Sequence, residues 1–389
     1  MLRWRLLNNI SEKMQEREEN MKWLRYLVQA GFVAFSAYLG LRHQIVGGGP
    51  GGAGPIDAFC PYGAFEALPV LLLEGSFVSK TAVSNLWILG ALVTGLILVG
   101  PVFCGWICPL GSLGEWLYGL RRRVSKVKWE PSATLARQLT WGRAVVFVLV
   151  LFMSWQTKSI WFENIDPYKA IFHMNVENAT TAAIIGGFVL LSLAVERAWC
   201  RWLCPLGIFN SLVGKVSLFK IRRNEGTCIH CNACSRACPT RIPVAEVATV
   251  DDDRCVGCQR CVEVCPVKDT LQIKAPATLG HRLIKPAVAG LLAVFLFVGI
   301  VGGAQVSGYW ASNDLKGKLV SDITSTRDLK GWMKWSEVVD RFKVNEAALA
   351  QELKLPPGYN RNATLKELGH KNGFETKDVG KAIDKLMKK

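Results

Sequence analysis

The sequence predicts a mostly α-helical, polytopic membrane protein with about five transmembrane helices and a small polar helical domain at its C-terminal end. Half of the 389 residues are hydrophobic and the mean hydropathy is +0.21. The apolar residues gather into runs near 23–41, 83–103, 139–157, 179–197 and 284–304, each close to the roughly 20 helical residues that cross a hydrocarbon layer of about 30 Å. The net charge of +16 sits in basic residues beside those runs, a pattern of membrane topology, so no nucleic-acid partner is expected.

Residues 1–22 carry mixed charge and lack a small-residue cleavage site, so a cytoplasmic helix or tail is expected there and not a removed signal peptide. Residues 23–220 form a four-helix membrane domain. Its third run is interrupted by Arg143 near one end, where an arginine can snorkel to the headgroups. Arg121, Arg122, Arg123, Lys126, Lys128 and Arg137 lie between runs two and three, whereas the connections 42–80 and 158–178 carry two basic residues each. The positive-inside rule therefore puts the N-terminus, the 104–138 loop and residues 199–283 in the cytoplasm. The uncharged fifth run, 284–304, then leads to a C-terminal domain, 305–389, outside. That domain has helical periodicity, a Pro356-Pro357-Gly358 break and no cysteine.

Eight of the thirteen cysteines fall between residues 228 and 265, in "CIHCNACSRACPT" and "CVGCQRCVEVCPV". Both match C-x2-C-x2-C-x3-C-P, in which three cysteines hold one [4Fe-4S] cluster and the cysteine before proline holds the other. The expected sets are crossed: Cys228, Cys231, Cys234 and Cys265 for one cluster, and Cys255, Cys258, Cys261 and Cys238 for the second. Zinc ribbons use two separated pairs instead. Residues 221–280 thus form an inserted cytoplasmic 2[4Fe-4S] ferredoxin domain of the bacterial type, in the reducing compartment that such thiols need.

A second pattern is repeated. "FCGWICPLG" at 103–111 returns ninety-six residues later as "WCRWLCPLG", so Cys104 with Cys108, and Cys200 with Cys204, each form an i, i+4 pair on one helical face. Pro109 and Pro205 mark a helix break after each pair. The four thiols can hold a third iron–sulfur cluster, act as redox-active dithiols, or pack helices as small buried residues. Each motif follows an outer connection containing Ile-Asp, at Ile56-Asp57 and Ile165-Asp166, so an internal two-fold relation between two hairpins is expected.

Cys60, in "FCPYG", repeats half of the inner motif and is a candidate cofactor contact, with a structural turn as the alternative. The stretch "VGGGPGGAGP" at 46–55 lacks the Gly-Lys-Ser/Thr ending of a phosphate loop and is expected to be a flexible connection. His43, Glu66, Asp166 and His173 lie where a quinol could dock and lose protons, or are solvated loop residues.

Over residues 20–300 the chain resembles the membrane polyferredoxin family of the NapH and NosR type. The resemblance rests on the two C-x3-C-P motifs, the Cys-Pro-Tyr-Gly at 60–63 and the two ferredoxin runs. It implies a membrane-bound electron-transfer subunit of a respiratory complex, a quinol dehydrogenase among the possibilities. Such a subunit works in the inner membrane between the quinone pool or a cytoplasmic donor and a periplasmic acceptor, with a cytochrome or periplasmic oxidoreductase as partner. A redox factor for maturation of another metalloenzyme and a redox-sensing regulator are the alternatives. The fifth span and the outer domain depart from the family's usual ending.

Overall fold

The computed structural model describes residues 2–46, 53–54, 56–74, 83–125, 129–157, 160–162, 165–173, 179–276, 280, 282–310, 325–326 and 329–387, with backbone alone at 2–20 and 133. Most of the glycine-rich stretch 46–55, together with Lys126 and Lys128, lies outside the described residues.

The membrane domain is helical throughout. In chain order it comprises α1 (Leu2–Val46), a 3-10 turn (Ile56–Phe59), α2 (Pro61–Glu74), α3 (Val83–Val99), α4 (Val102–Trp106), α5 (Pro109–Val124), α6 (Ala133–Thr157), α7 (Pro167–Phe172), α8 (Ala179–Ala194), α9 (Ala198–Trp202) and α10 (Leu206–Gly214). After the ferredoxin domain, α13 (Pro286–Val306) packs back on α3 and α4. Three helices among the described residues are long and apolar enough to cross a membrane, Met21–Val46, Thr134–Thr157 and Pro286–Val306. They coincide with the first, third and fifth predicted runs.

The second and fourth runs depart from expectation. Their helices stop at Val99 and Ala194, so 17 and 16 residues rise only about 25 Å at 1.5 Å each. Gly100 ends the first at φ +79 before Pro101, and Arg197 lies in the left-handed region at φ 53 after the second. Each chain then re-enters as a five-residue helix, α4 or α9. The connections expected to be plain loops also hold helices. In 42–80 lies α2, whose Ala64, Phe65, Ala67 and Val70 are buried, and in 158–178 lies α7. Both begin Pro-Tyr, Pro61-Tyr62 and Pro167-Tyr168, and Lys169 Nζ reaches Asp57 Oδ2 at 3.5 Å to tie the two Ile-Asp connections together.

The ferredoxin domain is a three-stranded antiparallel sheet, β1 (Lys220–Arg223), β2 (Leu271–Lys274) and β3 (Leu283–Ile284), with the short helices α11 (Ala233–Ala237) and α12 (Arg260–Glu263). Leu218 and Phe219 N–H groups donate to Ile97 and Leu98 carbonyls at the end of α3. Ion pairs Arg143–Asp253 (2.7 Å), Arg241–Glu130 (3.0 Å) and Arg260–Glu196 hold the domain against the helices.

Four further helices, α14 (Trp335–Phe342), α15 (Glu346–Glu352), α16 (Leu365–Asn372) and α17 (Thr376–Met387), surround a separate core that includes Trp335, Val338, Leu349, Leu365, Val379 and Ile383. The two helix pairs repeat at a spacing of 30 residues, with Lys343 and Gly373 both left-handed after the first helix. Their entries exchange backbone bonds, Trp335 N–H to Ala363 O (3.0 Å) and Leu365 N–H to Met333 O (2.8 Å).

Candidate metal centres

In the ferredoxin domain Cys228, Cys231, Cys234 and Cys265 line one small cavity, and Cys238, Cys255, Cys258 and Cys261 line another. The wrapping of each loop depends on a left-handed residue just before its short helix, Asn232 before α11 and Gln259 before α12. Backbone N–H groups of His230, Gly257 and Val267 point at the thiols of Cys228, Cys255 and Cys265, as an anionic cluster requires of its loop. Burial pushes the Cys255 thiol up to about 12. That sulfur is therefore a thiolate at neutral pH only when metal replaces its proton. Four sulfur donors around each cavity fit [4Fe-4S] ligation.

The four repeated cysteines converge. Each thiol of Cys104, Cys108, Cys200 and Cys204 lies within electrostatic reach of the other three. The pairs do not sit on one continuous helix, since Cys104 and Cys200 lie in α4 and α9 whereas Cys108 and Cys204 lie just before α5 and α10. The two turns match, because Cys108 N–H bonds to Phe103 O and Cys204 N–H to Trp199 O, both at 2.9 Å. Pro109 is the first residue of α5 and Pro205 its counterpart before α10, where no amide proton is needed. The N–H groups of Leu110 and Gly111 point at Cys108 Sγ, and that of Gly207 at Cys204 Sγ.

The remaining motif residues have steric reasons. A Cβ on Gly111 would lie 2.8 Å from Cys104 O and 2.9 Å from Arg197 Nη1, and one on Gly207 would lie 3.1 Å from Arg143 Nη1. Trp106 is fully buried with its ring against Gly290 of α13, where any side chain would collide. Gly105, between the first two cysteines, faces the ferredoxin domain, and its Cβ would fall 2.7 Å from Cys258 Cα. Gly257, at φ +60, packs equally closely on the Pro101-Val102 peptide. The loop carrying Cys255 and Cys258 therefore touches the backbone of the Cys104 motif directly.

Buried cations surround the quartet. Arg197 donates from Nη1 to Cys104 O (2.7 Å) and from Nη2 to Glu115 (2.7 Å), and its guanidinium is within hydrogen-bonding reach of the Cys200 thiol. Arg143, 2% exposed, acts on the same thiol. Asn210 Nδ2 donates to Cys104 Sγ at 2.9 Å. Glu115 also accepts from Arg25 Nη2 at 2.6 Å. Positive charge and N–H donors placed around four thiols in the interior suit an anionic centre, whereas uncharged packing thiols need neither.

Cys60 takes the same local form as the inner motifs, before the first turn of α2 with the N–H groups of Tyr62 and Gly63 on its sulfur. Asp166 caps α7 by accepting from Tyr168 N–H at 2.9 Å. Glu66 is buried and accepts from Ser154 Oγ (2.7 Å) and Phe162 N–H (2.9 Å), a structural anchor and not a solvated loop residue. His43 and His173 pack with ring centroids 5.9 Å apart at the end of α1. Tyr62 and Tyr168 escaped sequence reasoning, and the repeated Pro-Tyr was the signal available for them.

Two family models match, a 4Fe-4S binding domain over residues 81–128 and again over 178–224, and a 4Fe-4S dicluster domain over 221–273. The first model thus covers each copy of the repeated motif. Among curated relatives, YccM of Escherichia coli K12 is 31% identical over 306 residues, covering 75% of this chain and 80% of that protein. The ferredoxin-type protein NapH of Haemophilus influenzae is 29% identical over 43% of this chain and 60% of its own. The methylamine utilization ferredoxin-type protein MauN of Methylorubrum extorquens is 31% identical over 46% and 64%. No solved structure matches. With the cysteine frame, the apolar helices and a relative matched over most of both chains, this protein belongs to the NapH-type family of membrane ferredoxin-type iron–sulfur proteins.

Proposed function

We propose that the chain is a membrane-bound electron-transfer subunit of a respiratory complex, working between the quinone pool or a cytoplasmic donor and a periplasmic acceptor. Five apolar helices cross the cytoplasmic membrane in this reading, the ferredoxin domain faces the cytoplasm and the 305–389 domain faces outward, consistent with the basic residues between α5 and α6. The two crossed cysteine sets hold one [4Fe-4S] cluster each, and Cys104, Cys108, Cys200 and Cys204 hold a further iron–sulfur centre. Clusters at these positions supply one-electron chemistry.

The observation that carries the reading is the backbone contact between Gly105 and Cys258. A ferredoxin that merely exchanged with soluble partners would have no need to bury its second cysteine loop against the membrane motif. Here that loop is packed through glycine on both sides, and the domain that carries it is held by three ion pairs and by two backbone bonds to α3. The chain's own residues hold the two cysteine groups close and surround the quartet with Arg197 and Arg143.

Iron and acid-labile sulfide per chain test the assignment. Two clusters give about eight of each, and the reading requires clearly more, falling toward eight when Cys104 and Cys200 are replaced by Ser. Eight in the parent chain, or no loss in the double variant, would remove the third centre.

A further inference from the structure

The two copies of the repeated motif break their helices with different residues. Gly100 stands at φ +79 before α4, a conformation open to glycine, whereas Arg197 takes φ 53 before α9. That region is costly for a residue with a side chain and persists only where the surroundings hold it. The Arg197 side chain is 0% exposed, with Nη1 on Cys104 O and Nη2 on Glu115 Oε2, both at 2.7 Å. It therefore reaches from α9 to the backbone of the other copy, one residue before the glycine that abuts Cys258.

Arg25, Glu115 and Arg197 form a triad in which two guanidinium groups share one carboxylate. Two positive charges against one negative leave an excess of one positive charge in the interior. The neighbouring ion pairs do not offset it, since Arg260 is matched with Glu196 and Arg143 with Asp253. A buried charge needs an opposite one beside it. The groups within electrostatic reach of the excess are thiols of both cysteine sets. Cys104, Cys108 and Cys200 lie in reach of Arg197, and Cys258 of the ferredoxin domain lies in reach of both Arg197 and Arg25. The packing brings the two sets together there. A Cβ on Gly105 would fall 2.7 Å from Cys258 Cα, and Gln29, four residues on from Arg25, donates to Gly105 O at 2.9 Å. Protonated thiols would leave the excess unmatched, whereas metal-bound thiolates match it.

We propose that Arg197, with Arg25 behind it, is a shared counter-ion for two iron–sulfur centres, the quartet and the ferredoxin centre of Cys238, Cys255, Cys258 and Cys261. The inference rests on the electron-transfer reading and adds the residue that joins two of its centres. Arg197 ligates no iron and is a positioning residue. An electron on either centre adds negative charge, which a cation facing both stabilises, so both potentials are raised together. Transfer oxidises one centre by one electron and reduces the other by one, while the guanidinium keeps its charge throughout. The other ferredoxin centre is an internal reference, because the charges acting on its Cys228 are Arg223 and Glu225.

Redox titration of the purified full-length protein with its native iron, poised with dithionite and read by electron paramagnetic resonance, tests this. Arg197→Gln should lower the quartet and the second ferredoxin centre together. The reduced form of each at fixed potential should fall on the order of tenfold, about 59 mV for a one-electron centre, with the reference centre unmoved. Arg197→Lys, which keeps the charge, should stay nearer the parent at both centres. Arg25→Gln should lower the second ferredoxin centre more than the quartet, because Arg25 acts on Cys258. Iron and sulfide equal to the parent's establish that the variants are loaded. A shift of one centre alone in Arg197→Gln, an equal shift of all three, or unmoved potentials with iron retained would overturn the proposal. If Arg197→Gln loses iron, Arg25→Gln decides, and an unmoved second ferredoxin centre there overturns it. A parent chain with no quartet signal refutes the third centre itself, before any variant is compared, so the two failures are distinguishable.

Discussion

Glu115 provides the sharpest energetic test of the membrane domain. Its carboxylate, on α5 and outside the spanning helices, lies between Arg25 of α1 and Arg197, with side-chain exposures of 4%, 2% and 0%. Burial pushes the carboxyl up, but the Arg25 and Arg197 guanidinium groups together outweigh burial and hold it at about 2, against an ordinary value of 4.5. The difference of about 2.5 pH units corresponds to ~3 kcal/mol at 1.36 kcal/mol per unit. A depressed carboxylate contributes stability that is present above pH 4.5 and lost as pH falls toward 2. Glu115→Gln keeps the shape and removes the charge, leaving two buried guanidinium groups uncompensated, for which about 3–5 kcal/mol is expected. Unfolding in detergent, followed by tryptophan fluorescence, should register a loss of that size at neutral pH. Adding Arg25→Met to Glu115→Gln should return more than ~1 kcal/mol, because the two residues share one network. A Gln variant within ~0.5 kcal/mol of the parent, or a parent chain equally stable at pH 4.5 and pH 2.5, would refute the account.

Three further outcomes are expected. Gly105→Val drives a branched side chain into the Cys258 backbone. It should cost ~1–3 kcal/mol by overpacking and slow electron exchange between the ferredoxin domain and the quartet, seen by rapid-mixing spectroscopy after reduction of the ferredoxin clusters. Asn210→Leu removes the donor at 2.9 Å from Cys104 Sγ, a loss of ~1 kcal/mol of preference for the more negative, reduced state. With the quartet holding the further centre proposed above, a redox titration followed by electron paramagnetic resonance should show that centre about 40 mV lower and the ferredoxin centres unmoved. In the C-terminal domain Thr364 caps α16 by accepting from Glu367 N–H at 3.2 Å, and Thr364→Ala should destabilise that domain by ~1 kcal/mol in thermal unfolding without altering iron content.

What could be read in advance follows the range of each physical signal. The ferredoxin spacing is local, because one loop wraps three corners of a cluster within seven residues, and a regular run exposes it. The C-x-W-x-C-P-L-G repeat was visible for the same reason. Tertiary consequences were not. Run two looks continuous in hydropathy, since Val102 and Phe103 are as apolar as the helix before them, and only Gly100-Pro101 marked the break, whereas in run four the charged Glu196 and Arg197 marked it. α2 was hidden by Gly63 and by Pro69 inside it, residues that argue against a helix in water. Here Pro61 begins the helix and burial of Phe65 and Val70 supports it. The kinship of Cys60-Pro61-Tyr62 with Pro167-Tyr168 was obscured because the second copy lacks three residues between Asp166 and Pro167 that the first has between Asp57 and Pro61.

That missing segment explains why Cys60 stands alone. In a two-fold arrangement the inner motifs contribute equally, Cys104 with Cys108 and Cys200 with Cys204, and a symmetric quartet suffices for four-sulfur ligation. At the opposite end symmetry extends to Asp57 with Asp166 and Tyr62 with Tyr168, but the extra Ala58-Phe59-Cys60 adds a thiol and an aromatic ring on one side only. The two tyrosines differ accordingly, since the Tyr168 hydroxyl bonds to Ser36 Oγ at 3.4 Å whereas the Tyr62 ring packs edge-on against Phe162 with centroids 4.8 Å apart. Breaking the second and fourth apolar runs after Val99 and Ala194, so that α4 and α9 continue each of them, is what brings Cys104, Cys108, Cys200 and Cys204 together. Irregular backbone at that depth is tolerable only where protein encloses it, and α13, with Gly290 fitted against Trp106, supplies that enclosure.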